Sequence, residues 1–302
     1  MDLPMSPDRL MQSTWRIHLA REIADRCLTP LREPRMALLG GSPAKGLSDE
    51  YSDLDILFFW DELDTGWIEG SPLALPRTDL LDMGPGVLLE SYHLDGLKAD
   101  IAHVEMDVWR GMVDRVLVEL DTDGDLQKSL QGFLHAVVLR GGEEYRIWRD
   151  RIAVYPPALG EKMVRENLRF FVRGYLPNQC RRRGDGLAYA DGLCLMLKNI
   201  LGVLGGLNRV YLSKDEPRWL EWELGRMEFL PERTLERMKE VLSAEPQDAE
   251  AVLDGLILDV LDLAGRLMPS SNAAYRRRRY LIEVLPCSAR PALGSSRGGV
   301  RS

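Results

Sequence analysis

The segment LLGGSPAKGLSDEYSDLDILFFW, residues 38–60, restricts the possible folds more than any other part of the chain. The apolar run Met36–Leu39 predicts a short buried strand that ends at Gly40-Gly41. Ser42-Pro43 then has the form of a helix N-cap followed by proline at the first helical position. From Asp53 to Trp60 the residues alternate. Asp53, Asp55 and Leu57 point one way and Leu54, Ile56 and Phe58 the other, as a pleated strand requires. The apolar face of such a strand meets a core, and its acidic end meets a cleft.

The same segment carries chemistry. A glycine pair lets backbone amides approach an anion closely, and Ser42 adds a hydroxyl at a helix start, so Gly41 and Ser42 form a candidate phosphate seat. Asp53 and Asp55 on one strand face are hard oxygen donors suited to magnesium, and without a cation they repel each other. Farther along, Val87–His93 and Leu97–Val104 predict two strands joined by Asp95-Gly96, a dipeptide suited to a tight hairpin turn. Leu97, Ala99 and Ile101 share one face of the second strand, which turns Asp100 to the other as a third carboxylate. Glu105 is the alternative. Its odd spacing from Asp100 puts it on the opposite face of an unbroken strand.

This constellation resembles the nucleotidyltransferases of the DNA polymerase β superfamily, and within them the two-domain aminoglycoside and antibiotic nucleotidyltransferases. The resemblance rests on residues 36–60, then 97–105, and more weakly on 208–222. It implies an α+β fold, a small mixed β-sheet with flanking helices followed by an all-α helical bundle. It further implies that Gly41, Ser42 and Ser52 bind a nucleoside triphosphate, with ATP the expected donor, and that Asp53, Asp55 and Asp100 hold two magnesium ions. Asp100 or Glu105 would take the acceptor proton. In the segment Leu207–Trp222, Lys214 matches the phosphate lysine of the family's helical domain, with Arg209 assisting. The implied reaction moves a nucleoside monophosphate to a hydroxyl of a small molecule, an aminoglycoside-like antibiotic by resemblance, and releases pyrophosphate. Transfer of AMP to a protein, as in the antitoxin-like minimal members, and a non-catalytic nucleotide sensor are the alternatives.

The rest of the chain agrees with this organisation. Met11, Trp15, Leu19, Ile23 and Cys27 recur at a spacing of four and predict a first amphipathic helix. Residues 61–86 hold glycines and prolines and predict a loop or lid. Beyond residue 107 the pattern is helical almost to Leu285, including 126–139 and 161–176. The expected units are therefore 1–125, 126–285 and a disordered tail, 286–302. His103, on an apolar-rich strand, is expected to be a core histidine, and Trp15 and Phe58–Trp60 core aromatics. Charge bears on partners: residues 1–130 carry 12 basic and 25 acidic side chains, and the remainder 27 and 22. An acidic first part disfavours a grip on long nucleic acid, hence a tRNA or poly(A) terminal transferase. The arginine runs 181–183 and 276–279 are expected to be solvated faces. The start of the sequence has no apolar leader, and the most apolar run, 193–207, is broken by Lys198 and Asn199, so neither export nor membrane insertion is expected. Four cysteines without a CxxC pair, together with four histidines, form no zinc signature and fit a reducing cytoplasm.

Overall fold

The computed structural model describes residues 6–27, 33–70, 73 and 75–282. The expected tail, 286–302, lies outside them, as does Cys287. Six strands are β1 Met36–Leu39, β2 Leu54–Trp60, β3 Arg77–Asp82, β4 Val87–Leu94, β5 Leu97–Glu105 and β6 Val137–Arg140. They form one mixed sheet in the order β3-β4-β5-β2-β1-β6. Only β2 and β5 run parallel, and their register sets Asp55 beside Asp100. The β4–β5 hairpin turns at Asp95 and Gly96, both with positive φ (49° and 91°), as the dipeptide predicts.

The sheet's first face is covered by α1 (Pro7–Cys27), where Ala20, Ile23 and Cys27 meet Leu54, Ile56, Phe58 and Ile101. The second face, from Leu38, Phe59 and Val104, is covered by α4 (Met106–Leu117), α5 (Gly124–Leu134), α6 (Gly142–Ala153) and α7 (Pro157–Asn167). Two short helices, α2 (Gly41–Lys45) and α3 (Thr65–Glu69), lie between strands. The C-terminal part is helical: α8 (Gly186–Asn208), α9 (Leu220–Gly225), α10 (Thr234–Ser243), α11 (Pro246–Leu267) and α12 (Ala273–Tyr280). Its core joins Ile200, Val203 and Leu204 of α8 to Leu256, Ile257 and Val260 of α11. Among the described residues, α8 alone is long and apolar enough to cross a membrane, and 56% of its most apolar window is buried inside the protein, as in a core helix.

Four expectations are corrected. The 126–139 helix ends at Leu134, and Val137–Arg140 is instead strand β6, paired antiparallel with β1. The sheet therefore draws on residues beyond 125, and its covering helices reach Met163. A four-residue strand is too short to show alternation against the helical pattern before it. Similarly, α7 ends at Asn167, short of the expected 176. Residues 61–86 are not all loop, since they contain α3 and β3. Finally, the first-helix stripe holds only at its C-terminal end. Met11 is 60% exposed and Trp15 40%, whereas Ser13, Arg16, Ala20 and Ala24 are buried. A strict spacing of four drifts about 40° around a helix at each step, so five such residues cannot share one face.

A polar network is buried on the α1 side. Glu90, fully buried, accepts from Arg77 Nη1 (2.9 Å) and Tyr92 Oη (2.7 Å), and its Oε1 lies 2.9 Å from His103 Nε2. Trp60 Nε1 donates to His103 Nδ1 at 3.1 Å, so Nε2 carries the proton given to Glu90 in the neutral imidazole. His103 is the partnered core histidine that the sequence led us to expect.

Candidate active site

The glycine pair acts through one member. Gly41 has φ +67°, and a β-carbon there would lie 2.5 Å from Asp55 Oδ2, so its backbone sits directly against that carboxylate. Gly40 N donates to Asp55 O (2.8 Å), which fixes the turn to β2. A substituted Gly40 would meet only ordinary contacts. Ser42 does not cap α2, because Gly40 holds the N-cap position. The buried Ser42 Oγ lies 3.5 Å from Ser48 Oγ. Gly41→Ala should cost about 1–2 kcal/mol for the left-handed backbone and displace Asp55. Thermal unfolding and triphosphate binding should both report it.

Asp53 and Asp55 open on a cleft of about 870 Å³ whose rim also includes Gly41, Ser42, Lys45 and Ser52. Burial pushes the Asp55 carboxyl up to about 6, with the charges of Asp53 and Asp100 adding to it. A group whose folded value exceeds its unfolded value favours the fold most when protonated, and this benefit is lost as pH rises through about 6. Asp55→Asn, without divalent cations, should therefore be more stable than the parent at pH 7–8 by about 3 kcal/mol and nearly equal to it at pH 4. Unfolding midpoints across that range check this.

The loop before Asp53 is held from α1, in a way the sequence did not reveal. Arg16, almost wholly buried, donates through Nε to Ser52 O (3.0 Å) and through Nη1 to Gln12 Oε1 (2.6 Å). The Ser52 hydroxyl is engaged within the loop, donating to Asp49 Oδ1 (3.0 Å) and accepting from Asp49 N (2.9 Å). Arg16 lies off the expected stripe of Met11, Trp15 and Leu19, so that spacing gave no signal of its burial.

Asp100 stands opposite Asp55 on β5, where Ser91 Oγ (2.7 Å) and Lys98 Nζ (2.5 Å) donate to it. Among the described residues, no group of three acidic, histidine or cysteine side chains is arranged to hold a metal ion. Of the three expected acids, Asp53 and Asp55 line the cleft and Asp100 is bound to Lys98. Glu105 is turned away and accepts from Leu63 N (3.1 Å).

The cations differ from those expected. Lys214 lines a separate cavity with Glu166 and Arg169, 3.5 Å from Asp215, and Arg209 is exposed at the end of α8. Neither lines the Asp53 cleft. Lys45, Lys128 and Arg218 do. Lys45 Nζ lies 4.5 Å over the Trp222 ring and donates to Gln131 Oε1 (3.4 Å), and burial lowers its pKa. Gln131 Nε2 in turn donates to Glu223 (2.7 Å), so α2, α5 and α9 meet at one buried polar cluster. The arginine runs are surface features: Arg181 pairs with Glu250 and Arg277 with Asp262.

The chain is structurally similar to a nucleotidyltransferase-like protein from Exiguobacterium sibiricum, with 12% identity and a TM-score of 0.39, over 84% of this chain and 78% of that one. It is also similar to an aminoglycoside 6-adenyltransferase from Bacillus subtilis, with 11% identity and a TM-score of 0.29, over 90% of this chain and 97% of that one. No family model matches the sequence, and comparison with curated proteins finds no match.

Proposed function

We propose that this protein is a divalent-cation-dependent nucleotidyltransferase that moves a nucleoside monophosphate, AMP first among the candidates, from a triphosphate to a hydroxyl of a small molecule. One observation carries the reading. Asp53 and Asp55 share a strand face beside the Gly41-Ser42 turn at the mouth of a deep cleft, with a third carboxylate in register on the parallel neighbour. The donor set fits a hard cation: two carboxylates line one space, and burial first, with the charges of Asp53 and Asp100 second, raises the Asp55 pKa, a cost that a cation there would offset. When bound, magnesium offsets charge on the attacking and leaving oxygens.

The chain's own residues supply the remainder. The Gly41 and Ser42 turn receives the outer phosphates, and Lys45, with Lys128 and Arg218 across the cleft, balances their charge. The acceptor oxygen attacks the α-phosphorus, the bond to the β-phosphate oxygen breaks, pyrophosphate leaves, and Asp100 takes the acceptor proton. Lys98 and Ser91, which donate to Asp100, orient it for that step.

In this reading Lys45, and not Lys214, meets the triphosphate. A charge-assisted hydrogen bond contributes roughly 1.5–3 kcal/mol, so Lys45→Ala should weaken binding of a non-hydrolysable triphosphate about 10- to 100-fold. Lys214→Ala should leave it unchanged, as titration calorimetry would show. The activity itself is tested by incubating the protein and magnesium with each α-labelled triphosphate and a panel of aminoglycosides, other small alcohols, RNA and total protein. Label on a small molecule with release of pyrophosphate is expected. Label on a polypeptide, or binding without pyrophosphate release, contradicts the assignment.

A further inference from the structure

The cleft changes character with depth. Its rim is polar and charged, but beneath Asp55 the floor is Leu57 and Phe59 of β2 with Val104 of β5, roofed by Trp109 and Met112 of α4 and Phe133 of α5. Trp109 is 3% exposed and lies against Phe133, with ring centroids 4.8 Å apart. Its indole Nε1–H has no hydrogen-bond partner. A buried donor without a partner is costly, a cost that a ligand supplying an acceptor would remove.

We propose that this chamber receives the uncharged, largely apolar ring end of the acceptor alcohol and that Trp109 Nε1 donates to a single oxygen on it. This rests on the transfer reading above and specifies its acceptor. The walls named here could not replace the hydration of an ammonium group, so a polycation cannot enter. A nucleobase fits poorly as well, because its amino or ring N–H donors would be buried facing apolar carbon, while the chamber offers a donor of its own. A ring with one carbonyl or ether oxygen satisfies Trp109 and leaves no polar atom unpaired. Such an acceptor can extend its hydroxyl from the chamber toward Asp53 and Asp55 at the rim. Trp109 is thus a specificity residue, and the acceptor class is apolar where the family resemblance implied an aminoglycoside.

Proton–nitrogen NMR of the full chain, labelled at the tryptophan indole nitrogens, tests this. The protein has seven tryptophans, and the Trp109 signal is the one missing from Trp109→Phe. The probes are para-hydroxymethyl acetophenone, kanamycin and adenosine, each titrated without nucleotide. The aryl ketone should move the Trp109 signal downfield and saturably, whereas kanamycin and adenosine leave it in place. Trp109→Phe should weaken ketone binding about tenfold. Ala136→Leu, at another residue lining this cleft, narrows the chamber and should abolish the shift while the other indole signals stay dispersed, and it identifies the site if Trp109→Phe does not fold. A Trp109 signal unmoved by the ketone, or moved by adenosine or kanamycin, overturns the proposal. Failure of every magnesium–nucleoside triphosphate to bind the unmodified protein in separate calorimetric titrations would instead overturn the transfer reading, so the two failures are distinguishable.

Discussion

Asp53→Asn is expected to lose nucleotidyl transfer by a thousandfold or more while the protein stays folded. The carboxylate lies at the entry of β2, on the cleft face, with its loop anchored by Arg16 and not by Asp53 itself. In the proposed transfer, removing one charged donor from the cation site would cost several kcal/mol of transition-state stabilisation, and about 4 kcal/mol is a thousandfold in rate. Asp55→Asn should behave alike in turnover and, in addition, gain stability above pH 6 because burial and neighbouring acids oppose its ionisation. Near-parental turnover in either variant with magnesium would remove these residues from the chemistry.

The second large effect is on stability. Glu90→Ala should destabilise the fold by about 3–5 kcal/mol, the range for breaking a buried pair from one side. Glu90 has no solvent to fall back on, and it satisfies Arg77, Tyr92 and His103 together. Without it Arg77 keeps its bonds to Ile68 O and Glu69 O, and His103 keeps its bond from Trp60, but His103 Nε2 and Tyr92 Oη each lose the buried carboxylate. Denaturant unfolding should show the loss, and Glu90→Gln, which keeps the hydrogen-bonding shape without the charge, should lose less. Equal stability of Glu90→Ala and the parent would mean that the network contributes nothing.

What could be read from the sequence was the part set by nearest neighbours. Alternation placed Asp53, Asp55 and Leu57 on one face of β2 and Asp100 opposite the apolar face of β5, and Asp95-Gly96 placed the hairpin, because pleat and turn chemistry are local. The order of strands and then helices followed from the same periodicities, and the mixed sheet from the family resemblance. Whatever depended on contacts distant in sequence was missed. β6 is a strand because β1 offers it an edge, and nothing within Val137–Arg140 announces that edge. Arg16 is buried because Gln12 and the Ser52 carbonyl meet it, at a position off the period-four stripe expected to face the core. The cation assignment went to Lys214 by resemblance, whereas the α2 turn brings Lys45 into the cleft beside Gly41 and Ser42. Asp100 was correctly oriented by parity, but its partners Lys98 and Ser91 come from the hairpin's geometry and not from its motif.

These readings converge on the space between the Gly41-Ser42 turn and the two aspartates. The most direct test is a crystal structure of the protein soaked with manganese and a non-hydrolysable triphosphate, with manganese located by its anomalous scattering. Manganese bound directly to Asp53 and Asp55, with the outer phosphates on Gly41 and Ser42 near Lys45, is the predicted result. A metal–nucleotide complex seated elsewhere, with Asp53 and Asp55 unligated, would contradict it.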